Sequence, residues 1–255
     1  MGVDFVAKTF RLTIYTAQDL TNPTTAQAMW QTLDNPLIQP QRFDSVERAR
    51  QVYDGNDPEA ACKIYSREGM LFVRGAKESF TAMFMRTNDP LSLWTFWWDV
   101  KAMSDKKRDP WLTWIYGLCR ALPPYFGSGC STEEHDAKHL VVKGSATGAV
   151  GVSIAEFRKF LPGLYWLTLF GPEVCEHFGS VLESLPHTSF VRPATEQLAL
   201  LLDGPVLPQN MEERLRTEAE LSDLLRANYF FDRNRKGIKF AQVPELAAAL
   251  RRKRS

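Results

Sequence analysis

Residues 163–171 read "GLYWLTLFG", a run without a charged side chain, and they limit what the chain can fold into more than any other stretch. Pro162-Gly163 turns the chain out of a preceding helix, and Gly171-Pro172 starts the next one. Between them, Leu164 to Phe170 predict a strand too apolar to expose on either face. Such a strand belongs inside a sheet that is covered on both sides. The run is also far below the roughly 20 residues that a bilayer span needs.

The flanking sequence supplies sheet partners and cover. In "TFRLTIYTA" (9–17), Phe10, Leu12 and Ile14 alternate with other residues and predict a strand. "SVERARQVYD" (45–54) is expected to be helical behind an Asp44 or Ser45 cap. Residues 61–87 predict two or three antiparallel strands broken at Glu68-Gly69 and Gly75. In 109–122, Asp109 caps a helix, Pro110 takes its first position, and Trp111, Trp114, Ile115 and Leu118 recur at helical spacing. Further helices are expected at 152–161 (Ser153 with Glu156), 172–179, and 211–227, with Leu215, Leu221, Leu224 and Leu225 as the apolar side of the last. "EQLALLLD" (196–203) predicts another strand. The pattern is α+β, mainly antiparallel sheet with flanking helices, in a single domain over 1–255.

Charge narrows the function. Thirty-one Lys and Arg against thirty Asp and Glu leave +1, so no global footprint for nucleic acid or an anionic membrane exists, and the basic end "ALRRKRS" is expected to be solvated. Asp4, Lys8 and Arg11 stand where a signal peptide needs an apolar core, and Val6 breaks the myristoylation pattern; the expected location is the cytoplasm. Cys62, Cys119, Cys130 and Cys175 form no C-x-x-C pair and are expected to be reduced thiols.

One motif invites a catalytic reading. In "HDAKH" (135–139), two histidines four apart share a helix face beside an acid, as in zinc hydrolases. Asp136 is one methylene shorter than the usual Glu, and neither His177 nor His187 stands at a spacing that completes a metal site. The glycine stretch 144–151 lacks the G-K-[ST] of a phosphate loop, and no G-x-S-x-G elbow occurs. Ser131 is expected to cap a helix with Glu134 as its reciprocal partner, leaving the His and acidic side chains toward solvent or a partner. No catalytic residues, metal or cofactor are therefore expected.

The string "LPGLYWLTLFGPEVCEHFG" (161–179) resembles the P-G-x-Y-W-x-x-x-F-G stretch, followed by a short helix, of bacterial type VI secretion immunity proteins. The likeness extends through "YFGSGCSTEEHDAKH" (125–139) and reaches the strand near 10–16, departing from the pattern at Leu167-Thr168. It implies a non-enzymatic protein that binds a cognate toxin, commonly a nuclease, encoded by the adjacent gene, with no direct contact to nucleic acid or membrane. Acidic side chains suit such a role because a nuclease groove carries cations placed for phosphates. The expected toxin-binding residues are Glu133, Glu134 and Asp136, with Trp97, Trp98 and Asp99 as an aromatic-acidic alternative. The rival readings are a metal-dependent hydrolase using His135, Asp136 and His139, and a non-catalytic adaptor docking through its tryptophans.

Overall fold

The computed structural model describes residues 9–54, 58–77, 79–87, 91–142, 149–151, 160–226 and 229–231. The alternation of Phe10, Leu12 and Ile14 does make strand β1 (Thr9–Thr16), and β1 lies inside the sheet. On one side it pairs with β6 (Ser92–Asp99), Phe10 opposite Trp98, and on the other with β7 (Phe126–Ser131), Leu12 opposite Gly129. Outward from β6 follow β5 (Thr81–Met85), β4 (Met70–Gly75), β2 (Pro40–Asp44) and β3 (Gln51–Val52). Outward from β7 follow β10 (Leu167–Phe170), β12 (Leu198–Leu202) and β11 (Thr188–Val191). These ten strands form one sheet in which every neighbouring pair is antiparallel; β8 (Leu140–Val142) and β9 (Ala149–Gly151) form a separate hairpin.

Because strand side chains alternate, the sheet builds a core on each face. Phe10, Leu12, Trp94, Phe96 and Trp98 join Leu167, Leu169 and Ala199 on the first face, under α1 (Pro23–Leu33), α2 (Pro58–Glu68) and α3 (Arg108–Ala121). Tyr15, Phe126, Phe170, Leu198 and Leu200 point the other way. They are covered by α5 (Pro172–Phe178), a 3₁₀ turn at Gly179–Ser184, α6 (Met211–Leu224) and residues 229–230. Gly129 leaves room for the first-face core over β7: a Cβ there would lie 2.9 Å from the Phe10 ring and 3.1 Å from the Leu167 side chain. The 164–170 stretch is buried throughout, as its composition demanded. No helix among the described residues is long and apolar enough to cross a membrane.

Several expectations need correction. The strand predicted over 164–170 is confined to Leu167–Phe170. The helix predicted behind an Asp109 cap begins at Arg108 behind Lys107, with no side-chain cap, so Asp109 and Pro110 lie inside its first turn. Residues 45–54 are not helical; Val46 and Val52 are exposed, so a helix there has no apolar stripe to bury. Asp44 instead closes a turn, its carboxylate accepting the N–H groups of Ser45 and Arg50 at 2.8 and 3.3 Å, and Gln51–Val52 adds an edge strand. The start of 61–87 is the end of α2 rather than a strand, because Ala61, Ile64 and Tyr65 bury at helical spacing and Gly69 ends the helix at φ +69°. In α6 the buried stripe is Arg214, Glu218 and Leu221, continued by Leu225 just past the helix end, while Leu224 is 57% exposed. The expected helix at 152–161 falls largely on 152–159, outside the described residues.

Candidate interaction surface and its buried anchor

Helix α4 (Thr132–His139) contains the HDAKH motif and follows β7 directly. Ser131 Oγ accepts the Glu134 N–H at 3.1 Å, the first half of the expected capping box. Thr132 Oγ1 donates to the Thr9 carbonyl at 3.1 Å and ties the helix start to β1. The reciprocal half is absent because the Glu134 side chain points inward and is fully buried.

A buried carboxylate needs partners, and Glu134 has several. Its Oε1 accepts the Trp166 N–H and the Lys138 ammonium, each at 3.1 Å, and Arg214 Nη1 lies 3.8 Å from Oε2. Lys138 also reaches Glu218 at 2.5 Å, donates to the Leu164 carbonyl at 2.6 Å, and sits 3.9 Å from the Tyr165 ring centroid. Two acids and two bases thus compensate each other beneath α4 and fasten it to α6 and to the entry of β10. Burial alone would lower the Lys138 pKa, but the Glu218 and Glu134 carboxylates outweigh it and hold it above the usual lysine value. Burial pushes Glu218 well up, against the opposing pull of Lys138.

The histidines belong to the same inner face. The Tyr165 hydroxyl is hydrogen-bonded to the Pro162 carbonyl at 3.3 Å and to His139 Nε2 at 2.7 Å. His135 packs on His139 at a ring separation of 4.4 Å and contacts Asp136 Oδ1 at 3.2 Å. Burial, then the Arg11 and Lys138 charges, lower its pKa to about 3, so the His135–Asp136 contact is a hydrogen bond from a neutral ring. Among the described residues no group of three or more His, Cys, Asp and Glu is placed to hold a metal.

Of the six residues expected to meet a partner, two turn away from solvent. Glu134 is fully buried, and Trp98 is 1% exposed, stacked on Trp111 at 4.5 Å. The other four converge. Thr9 pairs with Asp99 and accepts from Thr132, which places Asp99 and the exposed Glu133 at the same end of the sheet. Trp97 shares a sheet face with Asp99, and Arg11, opposite Trp97 in the register, holds its guanidinium 5.9 Å from that ring. The Arg11 charge also offsets part of the upward shift that burial gives Asp136. The surface is therefore Glu133, Asp136 and Asp99 around Trp97, with Arg11 in the middle. Arg11, Lys138, Arg214 and Glu218 escaped the reading by residue type; the signal was the i,i+4 spacing of Glu134 with Lys138 and of Arg214 with Glu218.

Beside Arg214 opens a cavity of about 320 Å³ lined by His187, Asp203, Asn210, Glu213 and Thr217 among others. Arg214 already donates to the Asp203 and Pro205 carbonyls at 3.4 and 2.9 Å, and two acids share the lining, so its chemistry selects no ligand.

Comparison with protein-family profiles and with curated protein sequences gives no match. Among solved structures the fold is similar to that of a Pseudomonas aeruginosa T6SS protein, PA0821, at 16% sequence identity and a TM-score of 0.54. The likeness covers 96% of this chain and 82% of that one.

Proposed function

We propose that this chain is an immunity protein that binds a cognate type VI secretion toxin, a nuclease, and neutralises it by occlusion. The observation that carries the reading is the fold-wide likeness to a T6SS protein, covering 96% of this chain. The resemblance of residues 161–179 and 125–139 to immunity proteins points the same way. Structurally, those two stretches are one unit: α4 and the entry to β10 are joined by Glu134, Lys138 and Tyr165.

Inhibition by occlusion needs a rigid, complementary surface and no chemistry. The buried charge cluster beneath α4 supplies the rigidity, since every shift of the helix would separate paired charges in a low-dielectric interior. Glu133, Asp136, Asp99 and Trp97 supply the surface, an aromatic anchor rimmed by acids of the kind that fits a basic groove.

The test is co-expression with the toxin encoded beside this gene. A one-to-one complex whose formation abolishes nuclease activity in proportion to complex formed is the expected result. Absence of any complex, or a complex that leaves the nuclease active, would overturn the proposal.

A further inference from the structure

The register that places Arg11 opposite Trp97 continues outward along one line. Trp97 lies opposite Thr81, Thr81 opposite Arg74, and Arg74 opposite Arg42, so β1, β6, β5, β4 and β2 each contribute one residue to a row on a single face of the sheet. Their strand neighbours Phe10, Trp98, Ala82, Val73 and Phe43 belong to the core on the other face. Along the row Arg42 and Arg74 are exposed, and Thr81, Trp97 and Arg11 are half-exposed. Thr95, two residues from Trp97 on the same face, is fully buried and takes no part in it.

The row is electrostatically divided. At its Arg11–Trp97 end stand Asp99, Glu133 and Asp136. Its far end is cationic. Arg42 and Arg74 are direct cross-strand partners, and like charges opposed in this way destabilise a strand pair. Arg74 donates from Nε to the Glu47 carbonyl at 3.1 Å, which holds the turn carrying the exposed Arg48 and Arg50 beside it. Of the nearby acids, Asp44 is engaged by the N–H groups of Ser45 and Arg50, and Glu47 is exposed. Among the described residues none of these four guanidiniums is paired with a carboxylate.

An opposition that costs stability in the free chain and is relieved by a bound anion points to an anionic ligand. The rest of the row decides which kind. Nucleic acid that followed the arginines along it would meet Asp99, Glu133 and Asp136 and be repelled. A protein can change the sign of its charge over the same distance. The four strand spacings from β1 to β2 amount to about 19 Å, and an interface of roughly 800 Å² per partner covers both ends.

We propose that the row is one continuous docking surface, and that its occupant presents cations to Asp99, Glu133 and Asp136 and a carboxylate-bearing element to Arg42 and Arg74. This rests on the immunity reading, the occupant being the toxin, and it adds the toxin's orientation: its basic groove lies over the α4 end, Trp97 is the apolar contact between the two charged ends, and an acidic segment beside the groove lies over β2 and β4. Opposite charges at the two ends fix a single register, since a toxin turned end for end would set like charges against each other.

The test uses the full chain and the toxin encoded beside its gene. Arg42→Glu with Arg74→Glu should associate about tenfold or more slowly than Arg120→Glu with Arg216→Glu, exposed cations on α3 and α6 whose exchange alters the net charge equally. Exchange of toxin carboxylates for lysine should restore the rate in the first variant and not in the control. Arg42→Gln with Arg74→Gln removes the opposed charges without adding acids; it should unfold in urea at a midpoint no lower than the native chain and still associate more slowly, which separates lost contact from lost folding. Association of the first variant as fast as the control, no toxin exchange that restores it, or a lowered midpoint of the glutamine variant would each overturn the proposal and leave the immunity reading standing. So would binding of a single-stranded oligothymidylate at about 150 mM salt that the first variant loses, which would assign the arginines to nucleic acid. A native chain that captures no toxin would instead overturn the immunity reading, and this proposal with it.

Discussion

The carboxylate of Glu134 accepts the backbone N–H of Trp166 at 3.1 Å across 32 positions of sequence, joining a helix that looks hydrophilic to the entry of the buried strand β10. An acid in that place satisfies a strand-entry amide and at the same time balances Lys138 and Arg214. Glu134→Ala removes both functions and leaves buried cations uncompensated. The expected loss is about 3–5 kcal/mol. Glu133→Ala, one position away and exposed, should stay within about 0.5 kcal/mol. Urea unfolding of the pair decides: similar midpoints for the two variants would mean that Glu134 is not an anchor.

Trp166 is 1% exposed, packs edge-on to Phe10 at 6.1 Å, and donates from Nε1 to the Gly204 carbonyl at 3.1 Å. Trp166→Ala empties a large volume and orphans that carbonyl, for an expected loss of about 3–5 kcal/mol. Trp166→Phe restores part of the volume without the donor and should fall between. A melting temperature of the alanine variant within a degree or two of the native chain would contradict the packing described.

His135 makes stability depend on pH with a defined sign. Its pKa is about 3 in the fold, from burial first and then from Arg11 and Lys138, against an ordinary value of 6.5. As pH falls below 6.5 the unfolded chain takes up the proton before the folded one does, so stability drops toward pH 3. The slope from this group is at most about 1.4 kcal/mol per pH unit. Glu218, raised by burial, acts oppositely: its contribution is full below the ordinary glutamate value and fades as pH rises through its folded pKa. Native chain and His135→Gln, unfolded in urea at about pH 7 and about pH 4.5, should therefore differ in slope, the variant losing less stability on acidification. Parallel pH profiles would remove His135 from the account.

Charge reversal at Glu133 and Asp136 tests the surface without touching the anchor. Glu133→Lys with Asp136→Lys should leave the fold intact and slow association with a basic toxin, most visibly at low salt, because screening acts within about 8 Å at physiological ionic strength. Glu212→Lys with Glu220→Lys, exposed on α6, is the matched control. If the first variant associates as fast as the control, the toxin contacts another surface.

Where apolar pattern and turn residues govern, the sequence was readable: periodicity gives β1 and the Trp111–Trp114 helix, the uncharged run gives the burial of 164–170, and Pro172 and Gly179 bound the short helix between them. Where burial is polar, it was not. Glu134, Lys138, Arg214 and Glu218 read by type as a solvated surface, and only pairing in space makes their burial tolerable. Trp97 and Trp98 illustrate the same limit, since alternation sends neighbours to opposite faces and composition alone does not say which face is wet. Arg11 joined the surface through register, a long-range relationship invisible to local pattern.

The placement of β1 bears on how the chain can be made. Its neighbours β6 and β7 are synthesised long after it, and the core it helps to form includes Leu167, Leu169, Ala199 and Val206. During synthesis, Phe10, Leu12 and Ile14 precede these partners and complete that core only once residue 206 has followed them out. The tryptophans at 94, 98, 111 and 114 belong to the same core and pass through the same interval. Until that core closes, its tryptophans and the apolar side chains of β1 are exposed together, which is the interval in which chaperone protection acts.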